Sequence, residues 1–256
     1  MLKRSLASLA LLCASLAHAD CGELNVAYYD HGAFYSRHSD GSWGGIDKDV
    51  IDELARRCGC RFTASIDSRV RIWTRLANGT LDMTVSGIPL PEREKFARFI
   101  PYIYSHNYAL LAKSVAPELR TPEAFLAETK YKVGAVRSFK HGVLFDAWLD
   151  KLRAQGRVYE ASDFSTLVHL FKIGRVQAIV AQPMTWVTRL QPEEFTAMDW
   201  APNERVVGAL VLSRARVPQA TYESMEKAIR AMREDGTLRA IFERHVGPEL
   251  AVALLN

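Results

Sequence analysis

Three stretches hold the residues best suited to chemistry, and each carries cationic side chains beside an expected strand end. In SGIPLPEREKF, Ser86 to Phe96, two prolines and Glu92 mark the first turn of a helix, yet Arg93 stands in that same turn. A helix N-terminus carries about half a positive charge and several unpaired N–H groups, so a cation there is disfavoured by roughly 0.3–1 kcal/mol unless something offsets it. A bound anion would offset it, or else Glu92 or Glu94 partners a surface arginine. Ser86 and Gly87, just upstream, offer backbone groups at the same place. In SRVRIWTRL, Arg69 and Arg71 open the helix that follows the preceding strand, near the same face, while Trp73, at helical spacing from Leu76, reads as core. In VRSFKHG, Arg137, Ser138, Lys140 and His141 add donors that suit an acidic ligand, or equally make a solvated basic loop.

Catalytic signatures are sparse. No nucleophile elbow, zinc-type H-E-x-x-H, phosphate loop or dinucleotide fingerprint occurs, and the Cys58-Gly59-Cys60 triplet has neither the spacing nor the histidine of a zinc site. No cofactor or metal is expected. The candidate proton donors are Asp30, His31 and His141. Asp47 and Asp49 read as charges at a helix N-terminus, with Asp47 a candidate cap.

The elements that must position these groups follow from periodicity. Strand-like runs at Leu24–Tyr28, Cys60–Ser65 and Leu81–Ser86 alternate with helical patterns at Asp47–Arg57 and Arg71–Ala77. Short turns between them argue for an α/β fold with a parallel sheet flanked by helices, whose sites lie at the carboxyl ends of strands. After Tyr108–Ala112 and the proline-bearing KSVAPELRTPEAF, a second series follows. It has strands at Lys132–Val136, Arg157–Ala161 and Gln177–Ala181, and helices at Gly142–Gln155, Ser165–Lys172 and Met184–Leu190. A strand at Arg205–Ser213 and helices Tyr222–Glu234 and Thr237–His245 close the chain. Two lobes joined by two crossing strands account for this order, with lobe 1 at 20–112 plus 206–256 and lobe 2 at 113–205.

The first residues carry Lys3 and Arg4, an apolar run, and Ala17-His18-Ala19, the pattern of a secretory leader over residues 1–19 cleaved after Ala19. Loss of Lys3 and Arg4 lowers the formal charge from +4 to +2, which gives no case for nucleic acid. In an oxidising compartment two of Cys21, Cys58 and Cys60 will pair. Cys21 precedes the first strand and Cys60 opens the second, so neighbouring parallel strands favour Cys21–Cys60, with Cys58, one turn away, as competitor.

Four segments resemble the extracytoplasmic solute-binding proteins of ABC importers, family 3, which carry polar amino acids. They are GGIDKDVIDELARRCG (44–59), LANGTLDMTVSGI (76–88), PEREKFARFIPYIY (91–104) and MREDGTLRAIFERHVG (232–247). The resemblance implies a two-lobed periplasmic-binding-protein fold, a periplasmic location, monomeric action, a small carboxylate-bearing ligand in the interlobe cleft and a membrane permease as partner. It also implies that Arg93 grips the ligand's carboxylate, helped by Ser86 and Gly87, with the turn of Arg137, Ser138 and His141 facing the cleft; Arg69 and Arg71 are candidate contacts by position. The chain departs from the family pattern where Ile88 replaces a hydroxyl residue and Ile46 an aromatic, leaving Tyr28, Tyr29, Phe34 or Trp43 to supply a ring. Gln182 stands where an aspartate commonly meets the ligand's ammonium, which puts an α-amino acid in doubt as ligand. The same fold serves periplasmic dehydratases of prephenate- or arogenate-like acids, the alternative reading.

Overall fold

The computed structural model describes residues 21–255. The expected leader and its cleavage point lie outside them. The chain runs β1 (Glu23–Tyr28), β2 (Ser36–Arg37), β3 (Trp43–Gly44), α1 (Ile46–Cys58), β4 (Arg61–Ile66), α2 (Arg69–Ala77), β5 (Met83–Gly87), α3 (Pro91–Glu94) and β6 (Ala97–Ser105). It continues with β7 (Tyr108–Ala112), α4 (Pro122–Ala127), β8 (Val133–Val136), α5 (Val143–Ala154), β9 (Val158–Ala161), α6 (Phe164–Lys172), β10 (Ala178–Ala181), α7 (Pro183–Trp186) and β11 (Phe195–Met198). Last come β12 (Val206–Ser213), α8 (Gln219–Glu234), α9 (Thr237–Val246) and α10 (Pro248–Leu255).

These elements build two five-stranded sheets, in the orders β4-β1-β5-β12-β6 and β11-β7-β10-β8-β9. In the first, β1, β4 and β5 are parallel and β12 is antiparallel to both its neighbours; in the second, β8, β9 and β10 are parallel, with β7 and β11 antiparallel at one side. The central strands β5, β8 and β10 are buried along their whole length, as both-faced parallel strands must be. Helix α1 packs Val50, Ile51 and Leu54 against one face of the first sheet, and Phe145, Leu149 and Leu152 of α5 do the same for the second. A second apolar cluster covers the other face of each sheet.

Strand Tyr108–Ala112, read from the sequence as part of the first lobe, pairs with β10 and β11 in the second sheet. The first crossing therefore falls at His106–Asn107, because a strand joins whichever edge supplies its missing hydrogen bonds, not the lobe that precedes it in the chain. The return crossing enters β12 at Val206, which lies opposite Ser105 of β6. The two crossings are thus side by side.

Glu23 lies opposite Arg61 in the β1–β4 register, which brings Cys21 and Cys60 together as a disulfide with Cα atoms 5.0 Å apart. Closing a loop of that span stabilises by about 4 kcal/mol in the chain-entropy model. Cys58 ends α1 as a buried free thiol directed at the Ser224 carbonyl, so the competing pairing is excluded by the side of the helix on which it falls. Gly59 then takes the left-handed conformation, φ 68°, that stops the helix. Asp47 is not the cap expected of it: Gly45 holds that position, and the Asp47 side chain turns inward.

Candidate functional site

The ends of β1 and β4 and the start of α2 face the end of β9 and the start of α6 across the gap between the lobes. They enclose a cavity of about 490 Å³. The first lobe contributes Tyr29, Asp30, Trp43, Ile66 and the run Asp67 to Arg71, apart from Val70; the second contributes Val136, Ser162, Asp163, Ser165 and Thr166. Both walls stand at carboxyl ends of strands, where the connecting loops of an open α/β sheet leave a crevice.

Of the expected ligand contacts, Tyr29, Arg69 and Arg71 line this cavity. Arg71 is exposed and tied to Asp67 at 3.0 Å. Arg69, two residues earlier, is on the opposite side of the helix and only 3% exposed. Its guanidinium lies 4.2 Å above the Tyr29 ring and 5.0 Å from that of Phe139, in the other lobe.

Arg93 is buried as well, but behind this wall. It stacks on Trp73 at 3.8 Å and donates to the carbonyls of Ile88, at 2.9 Å, and of Ser138, at 3.4 Å, so it links the two lobes through backbone. The backbone of Ser86 is occupied rather than offered: its N–H donates to the Tyr102 hydroxyl and its carbonyl accepts from Tyr29. Ser86 and Ser138 are the non-glycine residues with positive φ among those described, 48° and 61°. Such turns are held only where surrounding bonds over-determine them; here Tyr29, Tyr102 and Arg93 supply those bonds. Gly87 sits inside the sheet opposite Ala209, where a Cβ would meet Val211 Cγ2 at 2.2 Å.

The remaining expected contacts separate. Phe34 and Gln182 gather with Ser86, Ser105 and His31 around a cavity of about 10 Å³ on the hinge side. Arg137 is exposed at the end of β8 and does not border the large cavity. His141 is buried in the second lobe just before α5, 3.5 Å from Asp146 and packed on the Phe139 ring, and it does not line the large cavity. The wall residues missed from the sequence, Ser162, Asp163, Ser165 and Thr166, form an ordinary helix start in which Asp163 caps α6 through the Thr166 N–H. Their one signal is position, at the carboxyl end of β9.

Direct contacts bring the lobes together. Asp30 accepts from Ser165 Oγ at 2.7 Å and from Arg189 at 2.6 Å, and the Ala33 N–H donates to the Met184 carbonyl at 2.9 Å. His31 is enclosed by the rings of Tyr29, Phe34, Phe139 and Phe164, and burial holds its pKa well below the usual histidine range. Because the Tyr29 hydroxyl gives its proton to the Ser86 carbonyl, the 3.2 Å contact with His31 Nδ1 needs the imidazole N–H on Nδ1.

Residues 24–248 match the family model of the bacterial extracellular solute-binding proteins, family 3. The chain belongs to this family. Comparison with curated protein sequences gives no match. Among solved structures, the solute-binding protein superposes on an amino acid ABC transporter substrate-binding protein of Streptococcus pneumoniae bound to L-arginine, at 20% identity and TM-score 0.73, over 90% of this chain and 96% of that one. It superposes on an arginine-binding protein of T. maritima at 18% identity and TM-score 0.72, covering 88% and 95% of the two chains. An ancestral amino acid-binding protein described as a precursor of cyclohexadienyl dehydratase gives 18% identity and TM-score 0.70, again covering 88% and 95%. At these identities the likeness is one of fold.

Beneath the site of this solute-binding protein, the Asp47 carboxylate accepts from Ser86 Oγ and Tyr102 Oη, and no cation among the described residues is paired to it. Burial pushes its pKa up to about 7, against the partial opposition of those hydrogen bonds and the Arg69 charge. The unfolded chain releases this proton near pH 4. Between about pH 4 and 7 the native state binds more protons than the unfolded one, so this group's contribution to stability is full at low pH and declines as pH rises through that window. The decline is on the order of 4 kcal/mol at most. Asp47→Asn should flatten it, so that the variant gains on the wild type between pH 5 and pH 8 in urea denaturation; an unchanged pH slope would refute the assignment.

Proposed function

We propose that this protein captures a small carboxylate-bearing solute, an amino acid or a related organic acid, between its lobes in the periplasm and presents it to the permease of an ABC importer. The observation that carries the reading is the cavity walled by both lobes: a molecule seated there contacts each, so it stabilises the closed form by its differential affinity for it. Its volume falls in the range of small-molecule sites. The adjacent crossings at β6 and β12 would serve as the hinge, the usual basis of closure in such architectures. Family membership and the arginine-bound neighbour support the ligand class and the transporter. Among the described residues no helix is long and apolar enough to cross a membrane; the proposed carrier acts as a monomer.

The dehydratase reading has one observation in its favour, the neighbour described as a dehydratase precursor. Against it, the candidate acids are committed elsewhere: Asp30 is ion-paired to Arg189, His31 is held neutral among rings, and His141 is buried off the cavity.

A thermal-shift screen of the mature protein, with amino acids, dicarboxylates and aromatic acids at about 1 mM each, tests the reading. A solute bound with a Kd of about 1 μM should stabilise by about 4 kcal/mol, or roughly 8–16 °C. No shift with any carboxylate would overturn it, and product formation from prephenate would replace it with the enzymatic one.

A further inference from the structure

Arg69 is placed as no structural arginine needs to be. It is the first residue of α2, at the end of the helix dipole that repels a cation. It is 3% exposed, and its Nε and Nη2 have no hydrogen-bond partner. Rings cover its faces, Tyr29 from its own lobe and Phe139 from the other. No carboxylate among the described residues is paired with it. The acids of the cavity are engaged elsewhere: Asp67 with Arg71 and Arg75, Asp30 with Arg189 and Ser165, and Asp163 with the Thr166 N–H and Ser162 Oγ. The Asp47 carboxylate attracts Arg69 from a distance without pairing to it, while Arg93, whose own bonds go to the carbonyls of Ile88 and Ser138, repels it.

We propose that Arg69, rather than Arg93, takes the ligand's carboxylate, and that its charge is the gate that couples capture to closure. This rests on the reading that a carboxylate enters the cavity. Phe139 belongs to the second lobe, so Arg69 is sealed against it only when the lobes meet. With the lobes apart, water satisfies Nε and Nη2. Closing without an anion strips that water and leaves a buried guanidinium with no carboxylate bonded to it, Asp47 acting only at a distance, a costly state. A carboxylate fitted to the fork replaces the water and removes the penalty. The ligand thereby acts on the lobe equilibrium through one charge, and the hydroxyl-rich wall of Ser162, Ser165 and Thr166 then meets the rest of the molecule.

The test has two arms. In small-angle scattering without ligand, the wild type should be extended and Arg69→Met compact, close to the ligand-saturated wild type, with Arg69→Lys extended because it keeps the charge. If Arg69→Met fails to fold, as judged by circular dichroism, Arg69→Gln carries the same expectation. In equilibrium dialysis, L-arginine, L-glutamine, succinate and prephenate are the probes; whichever the wild type retains should bind Arg69→Met at least 100-fold more weakly. A wild type already compact without ligand, an Arg69→Met variant as extended as the wild type, or one that binds within threefold of it overturns the proposal and leaves the solute-binding reading standing. If no probe binds the wild type, the carboxylate reading and the anchor fall together, and the scattering arm alone judges the gate.

Discussion

Gly32→Val is expected to leave both lobes folded and to abolish their closure. Gly32 has a φ of 61°, which a β-branched residue adopts only under strain. The added Cβ would lie 2.3 Å from the Met184 carbonyl oxygen and 2.7 Å from Thr185 Cα, backbone atoms of the second lobe that no side-chain rotation can move aside. The lobes must then stand apart, which breaks the adjacent Ala33–Met184 hydrogen bond and pulls Asp30 from Ser165 and Arg189. Ligand contacts with the second lobe go with them. A loss of at least about 100-fold in affinity corresponds to roughly 2.7 kcal/mol, a modest figure for half of a site. Titration calorimetry with the solute found in the thermal screen, alongside scattering of the saturated protein, checks this. Wild-type affinity with normal compaction in Gly32→Val would show that the observed lobe contact is not the binding-competent one.

The largest stability effect should come from Arg157, far from the cleft. Its Nε donates to the Tyr131 carbonyl at 2.7 Å, Nη1 to Leu126 O at 2.6 Å and Gln155 Oε1 at 2.7 Å, and Nη2 to Phe125 O at 3.0 Å and Glu128 O at 2.7 Å. One side chain thus caps the carbonyls at the end of α4 and the turn into β8. A helix end needs such partners, and a buried acceptor stripped of its donor costs about 1–3 kcal/mol. Arg157→Ala should therefore lose about 3–5 kcal/mol, less than the sum because water reaches some of the freed carbonyls. Arg157→Lys should recover less than half, since a single ammonium cannot span the fork. Urea denaturation followed by the fluorescence of Trp148 and Trp200, both in the second lobe, measures it. A loss below about 1 kcal/mol would mean that the turn holds without its cap.

Much of this architecture is legible in the sequence because it rests on local period. Helix α1 is written in Val50, Ile51 and Leu54, and the Cys21–Cys60 bridge follows from two strands opening side by side. What was not legible depends on partners distant in the chain. Tyr108–Ala112 has a strand's composition, and nothing in it says which sheet will accept it. Strand β11, the β2–β3 hairpin and α10 are short elements stabilised by neighbours rather than by their own pattern. At the site, the rule that strand ends carry function located the ends of β5 and β8 but passed over that of β9, where serines and an aspartate look like any helix cap. Arg69 and Arg71 read alike in sequence, yet two residues on a helix are about 200° apart, so one faces the lobe interface and the other water. A single buried side confers the significance, and that is decided by the opposite lobe.

The strand order of the first sheet has a further consequence, for the order of assembly. Strand β12 lies between β5 and β6, although about 100 residues separate it from β6 in the chain. As the polypeptide emerges from its N-terminus, β5 and β6 have no partner on their facing edges until residues 206–213 arrive. The second sheet draws every strand from the continuous segment between Tyr108 and Met198. It can close without waiting, as domains completed earlier in synthesis do. The half of the molecule that begins the chain is the half that finishes last.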